Sequence, residues 1–135
     1  EVALHCDFVY TTHSTKFGDT HTKFGLRPTW GMSQTLSRAV GQRRARELSF
    51  TAKIFTGAQA AEWGIANDSF ETPEALDDAL AATCAQITAN SPEAVAAMKD
   101  LYRLAENEDG IRASLKAETS SQYSISDTEE RLSAF

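Results

Sequence analysis

The chain has 135 residues, with 13 Lys and Arg against 19 Asp and Glu, a formal net charge of −6. Hydrophobic residues make up 41% and charged residues 24%, the proportions of an ordinary globular domain. The acidic total argues against a general nucleic-acid binder. No apolar run reaches the ~20 residues of a membrane span, and no signal peptide is visible. Cys6 and Cys84 form no CxxC pair, which argues against a disulfide scaffold or zinc module.

Charge is divided unevenly. Residues 1–55 carry eight basic and four acidic groups, and residues 56–135 carry five and fifteen. An anionic ligand fits the first part better. A solvated basic face is the plainer account of the same residues.

In chain order, residues 1–6 are helix-forming but have no capping residue before them. The chain opens on Glu1 rather than Met. It stops inside a helix begun by a Ser126–Glu129 capping box, so both ends read as cut. Residues 7–13 are aromatic and β-branched and predict a strand. Residues 17–25 predict a loop with short extended pieces. Met32, Leu36 and Val40 recur every four residues and predict a helix over 31–40, stopped by Gly41. Residues 42–53 predict a second helix, with Ala45, Leu48 and Ala52 inward and Arg43, Arg44 and Arg46 on other faces.

Thr56 and Gln59 form a capping box for a short helix that Gly64 ends. Residues 65–70 predict a short strand. Thr72-Pro73-Glu74 and Ser91-Pro92-Glu93 repeat one helix-start signal: a capping hydroxyl, a proline at the first helical position and an acid facing the dipole. The first of these helices carries Leu76, Leu80, Cys84 and Ile87 on one stripe. The second carries Val95, Met98, Tyr102 and Ala105, with Met98 and Tyr102 read as core. Residues 111–123 predict a further helix.

The residues that bear on chemistry form a longer series. It runs Glu1-Val2-Ala3-Leu4-His5-Cys6-Asp7, Phe17-Gly18-Asp19-Thr20-His21, Gly25-Leu26-Arg27-Pro28, then Gly31-Met32-Ser33-Gln34-Thr35-Leu36-Ser37-Arg38 and Val40-Gly41. Ala45-Arg46-Glu47-Leu48, residues 60–67 and Ser91-Pro92 complete it. In order and spacing the series resembles the enoyl-CoA hydratase/isomerase family, the crotonases, over residues 1 to about 99. The resemblance implies an α/β fold of the ClpP/crotonase type, with this chain as its second half and mostly helical. It implies that residues 1–70 are the C-terminal part of the core, carrying half of the active site. Residues 71–135 would be a helical region for packing and trimerisation. Both backbone donors of the oxyanion hole, and most of the nucleotide site, would come from the half that precedes Glu1.

Adding water to a double bond conjugated to a thioester needs three things. A base deprotonates the water, an acid protonates C2, and donors stabilise the enolate-like oxygen. Typical hydratases use two glutamates. The first matches Glu1; the second falls on His21, a departure from the usual carboxylate. On the residues alone, Glu1 also reads as a solvated first-turn acid and His21 as a loop histidine. The resemblance makes them the catalytic pair, since imidazole serves as acid or base near neutral pH. Asp19 is a second acidic candidate, ranked behind His21.

Thr29 and Trp30 follow Pro28, where family members often carry small residues beside the reacting carbons. The resemblance makes them substrate-binding candidates, with Trp30 as a wall of the acyl pocket or a packed indole. His5 and His13 have no partner at metal-ligand spacing, and no metal is expected. Ser33 has no G-x-S-x-G context for a nucleophile. Arg43, Arg44 and Arg46 lack the interleaved aromatics of a nucleic-acid patch.

The implied activity is hydration across the 2,3 double bond of an enoyl-CoA. No dissociable cofactor is expected, because CoA arrives with the acyl-CoA substrate. The expected assembly is a homotrimer or dimer of trimers in the cytoplasm, with no nucleic-acid or membrane partner. Two alternatives stand beside it. One is a catalytically impaired acyl-CoA-binding or assembly protein of the same fold. The other is a different family reaction such as isomerisation, against which His21 counts.

Overall fold

The computed structural model describes residues 1–107 and 110–133. They form two compact units divided between Ala81 and Ala82. The division falls inside a helix that starts after the Thr72 cap.

The first unit opens with a 3₁₀ turn, Val2–His5, followed by β1 (Tyr10–Thr12) and β2 (Lys16–Phe17). A second 3₁₀ turn, Thr22–Phe24, leads to the long helix α1 (Met32–Thr51). Then come β3 (Phe55–Thr56), the short helix α2 (Gly57–Glu62), β4 (Asp68–Phe70) and the start of α3 (Pro73–Ala89). β1 runs parallel to β4, with Thr11 opposite Ser69. β2 runs antiparallel to β3, with Phe17 opposite Phe55 and their rings stacked 5.7 Å apart.

Both strands of the parallel pair are shorter than their composition predicts. Val9 donates its N–H to the Asn67 side chain at 2.8 Å instead of extending the ladder. Ile65 and Ala66 both donate to the Ala60 carbonyl, at 2.8 and 3.1 Å, so they finish α2 rather than start β4. Backbone donors already satisfied in this way cannot also pair across a sheet.

Gly41 interrupts α1, as its position predicts, but the helix resumes at once. Its φ of 75° and ψ of 159° lie in a region that glycine alone enters cheaply. The result is a bent helix with two arms. The first arm buries Met32 and Leu36, and the second Ala45 and Leu48, against Phe55, Ala60 and Ile65. Ala52 lies just past the last turn, half-buried, in the left-handed conformation. Leu48 is 1% exposed. Burying a leucine this completely contributes about 1.5–3 kcal/mol, more than the roughly 1 kcal/mol of a single cap. Caps decide where helices begin; burial decides that they stay.

The predicted capping box at α2 is complete. Gln59 N–H donates to the Thr56 hydroxyl, and Thr56 N–H to the Gln59 side chain at 3.0 Å. Beyond α2, Arg44 lies over the Trp63 ring, 4.8 Å from its centroid, while the ring's centroid is 5.2 Å from that of Phe55. Arg44 is thus exposed yet stacked, whereas Arg43 and Arg46 stay on the outer side of the helix.

In the second unit α4 (Pro92–Asn107) packs against α5 (Ile111–Ser120), and α6 (Thr128–Ser133) follows. Here one expectation fails. Met98 and Tyr102 are 49% and 68% exposed, and Val95 is exposed too. The row turned inward is Ala94, Ala97, Leu101 and Leu104. Both rows have the same 3-4-3 spacing, so periodicity alone could not choose between them. The Leu80, Cys84 and Ile87 stripe of α3 is likewise exposed. α5 ends at Ser120, short of Tyr123, whose hydroxyl instead reaches Asp100 at 3.0 Å.

The Ser126–Glu129 capping box is replaced by a different arrangement. α6 begins two residues later, and Ser126 donates its N–H to the Glu93 carboxylate. Asp127 takes the Ser91 hydroxyl and Arg131 Nε, the latter at 2.6 Å, and Arg131 also reaches the Ala89 carbonyl at 2.9 Å. The tertiary partners win because each is a charge-assisted bond. Ala134 and Phe135, expected to continue this helix, lie outside the described residues. Cys6 and Cys84 are free thiols. Among the described residues no helix is long and apolar enough to cross a membrane.

Gly57 is where the first unit is tightest. A Cβ built there would lie 1.9 Å from the Thr12 carbonyl oxygen. Gly57→Ala should therefore destabilise the protein by about 1–3 kcal/mol through overpacking, read as a lower urea midpoint.

Candidate active site

Glu1 stands immediately before the first 3₁₀ turn, with its side chain 14% exposed. β2 delivers the second component: Phe17 ends the strand, and Gly18, Asp19 and His21 follow at once. The loop is clasped to the second arm of α1. Thr22 Oγ1 donates to the Ser49 carbonyl at 2.7 Å, and the Ser49 side chain bonds the Asp19 carboxylate.

These constraints bring three titratable side chains together. His21 Nε2 lies 3.7 Å from Glu1 Oε2. His21 Nδ1 lies 2.6 Å from Asp19 Oδ1. The His21 backbone N–H donates to the same oxygen at 3.3 Å. Asp19 is only 4% exposed. Burial pushes its carboxyl upward, but the bonds from Ser49 and His21 and the positive potential of the ring outweigh it. The group sits below its ordinary value and is ionised.

Glu1 is held from its other side. Its Oε1 accepts the Trp30 backbone N–H at 3.3 Å, and the Trp30 carbonyl lies 2.6 Å from His5 Nε2. A carbonyl only accepts, so Nε2 carries the His5 proton. Trp30 thus reaches the site through its backbone; its indole is 65% exposed. Thr29 is exposed as well. A cavity of about 60 Å³ opens beside the carboxylates, lined by Glu1, Asp19, Leu4, Phe17, Met32 and Leu36 among others, and neither Thr29 nor Trp30 lines it.

The sequence singled out Glu1 and His21 together, and Asp19 behind them. It gave no sign of Ser49, which stands on a helix 28 residues after His21 and carries no motif, nor of His5 acting on Trp30.

The model of the family described as enoyl-CoA hydratase/isomerase matches residues 1–135. The chain belongs to this family. Among its enoyl-CoA hydratase/isomerase relatives, the "Probable enoyl-CoA hydratase 1, peroxisomal" of Arabidopsis thaliana is 44% identical over 79 residues. These are 58% of this chain and 30% of that protein. The crystal structure of an enoyl-CoA hydratase subunit from Geobacillus kaustophilus superposes with a TM-score of 0.86 at 23% identity. It covers 99% of this chain and 52% of the other, and establishes the crotonase fold. A Thermobifida fusca structure solved in complex with acetoacetyl-CoA superposes at 0.78 with 27% identity, covering 98% of this chain and 49% of the other. The chain spans about half the length of the relatives that it matches end to end.

The Asp19 bonds have a consequence for stability. A carboxyl held lower in the folded state than in the unfolded chain stabilises the fold at pH above its unfolded value. That contribution disappears as pH falls through the folded value. Asp19→Asn should therefore cost about 1.5–3 kcal/mol at pH 7 and less at a pH low enough to protonate the folded carboxyl. Urea midpoints of both proteins at the two pH values check this.

Proposed function

We propose that this chain forms the proton-transfer half of an enoyl-CoA hydratase, in which Glu1 and His21 act on one water. What supports the reading most is the 3.7 Å between His21 Nε2 and Glu1 Oε2. The separation is too long for a direct hydrogen bond. A single water at about 2.8 Å can touch both atoms. The chain's membership of the family and the acetoacetyl-CoA bound to the Thermobifida fusca protein support an acyl-CoA thioester as substrate.

The step balances with these two groups. Glu1, ionised, takes a proton from the water, and the hydroxide oxygen bonds to C3. The C2–C3 π electrons move toward the thioester oxygen as an enolate. His21, as the imidazolium, gives its Nε2 proton to C2 as the enolate collapses. Glu1 then holds one proton and His21 one fewer than at the start. Transfer between them restores the carboxylate and the imidazolium. Backbone donors for the enolate oxygen come from the other half of the fold. No dissociable cofactor enters. The enzyme works as a homotrimer or dimer of trimers in the cytoplasm.

Steady-state kinetics on a short 2-enoyl-CoA, with the intact protein, test the assignment. Glu1→Gln should lower kcat about 100- to 10,000-fold. His21→Ala should lower kcat more than it raises KM, because the loss falls mainly on the transition state. His21→Glu should retain or increase hydration. Near-normal turnover of either Glu1→Gln or His21→Ala removes that residue from the mechanism. Tight acyl-CoA binding with no turnover of any enoyl-CoA replaces the reading with a binding or assembly role.

A further inference from the structure

A histidine in place of a glutamate creates a requirement that a glutamate does not have. The two oxygens of a carboxylate are interchangeable. The two nitrogens of an imidazole are not, and a neutral ring carries its proton on only one of them. If that proton sits on Nε2, the nitrogen facing Glu1 cannot receive another. A proton-transfer role for His21 therefore needs something that decides between the tautomers.

We propose that Asp19 is the positioning residue for His21: its buried carboxylate takes the Nδ1 proton and leaves Nε2 as the atom that exchanges protons. The proposal rests on the reading of Glu1 and His21 as the proton-transfer pair and adds a third member to it. The distances are unequal in the required sense. Nδ1 lies 2.6 Å from Asp19 Oδ1, well within hydrogen-bond range, whereas Nε2 lies 3.7 Å from Glu1 Oε2, outside it. An ionised carboxylate only accepts, so the shared proton belongs to Nδ1. The neutral ring then presents a lone pair at Nε2, and the charged ring presents an N–H there. Both states needed for turnover occur at the one nitrogen that faces Glu1.

Asp19 is itself held. It is 4% exposed, against 23% for the His21 side chain, and it receives the Ser49 side chain and the His21 backbone N–H. A carboxylate tied to α1 and to the backbone of its own loop cannot follow the ring, so the ring follows it. The same division of labour, a buried acid setting the tautomer of a histidine that reacts through its other nitrogen, operates in serine hydrolases. Here the acid lies two residues before the histidine, on the same loop.

The direct test is ¹⁵N NMR of the intact wild-type protein near pH 8, with the His21 resonances identified from the spectrum of His21→Ala. The expected result is a protonated Nδ1 and an unprotonated Nε2 in the neutral ring. The opposite tautomer overturns the proposal without any variant of Asp19. In the second arm, Asp19→Asn is compared with wild type in turnover of a short 2-enoyl-CoA and in the same spectrum. An amide can donate to Nδ1, which drives the proton to Nε2. kcat should fall about 100- to 10,000-fold, with KM changed less than about threefold. Both readings lower the urea midpoint of Asp19→Asn; a purely structural Asp19 keeps the wild-type tautomer and a near-normal kcat in the folded fraction. That outcome also overturns the proposal. If wild type hydrates no enoyl-CoA, the hydratase reading fails, while the tautomer measurement still decides what Asp19 does.

Discussion

The first unit depends on how closely α2 approaches the strands around it. This short helix packs against all four, β1 to β4. It can do so because its inner face is made of Gly57 and Ala60, one without a side chain and the other fully buried. With Gly57 set on the Thr12 carbonyl, the parallel pair and the antiparallel pair are brought to the same helix. β2 is then placed, and with it the loop that begins at Gly18. The geometry of the Glu1, Asp19 and His21 cluster is therefore inherited from backbone packing more than from contacts among the charged residues themselves.

Once placed, those residues interact differently from a pair of glutamates. Two carboxylates facing one water repel each other, and one must be protonated for both to remain close. A carboxylate–imidazole–carboxylate row has no such conflict when the ring is charged. In the proposed mechanism the buried Asp19 faces one side of the ring and Glu1, as the base, faces the other. This is a different electrostatic solution on a fold shared with the hydratases, with the burden moved to the orientation of one ring.

What was legible in the sequence was local. The Thr56 and Thr72 caps and the Gly41 break each depend on neighbours within four residues, and each stands where it is predicted. The inward row of α4 was not legible, because Met98 and Tyr102 announce a stripe more loudly than the alanines that are buried beside them. Nor were the strand lengths, which are set by where Asn67 and the end of α2 capture backbone groups. The site shows the same division. Glu1 and His21 could be paired by their register against a known family, and Asp19 could be seen nearby. That Asp19 is buried against Ser49 is a tertiary fact that no spacing of residues encodes.

The bend at Gly41 gives the two arms of α1 separate tasks. The first arm supplies Met32 and Leu36 to the cavity wall, and the second carries Ser49, which holds Asp19. From Gly41 to Ser49 is about 12 Å of helix, so the bend acts as a lever. A change of about 5° at the glycine moves the tip by about 1 Å, a displacement that can cost about 100-fold in rate. Substitutions around residue 41 can thus act on the cavity without touching any of the side chains that line it. They would shift the cavity wall against the cluster of Glu1, Asp19 and His21 while leaving those three side chains unchanged.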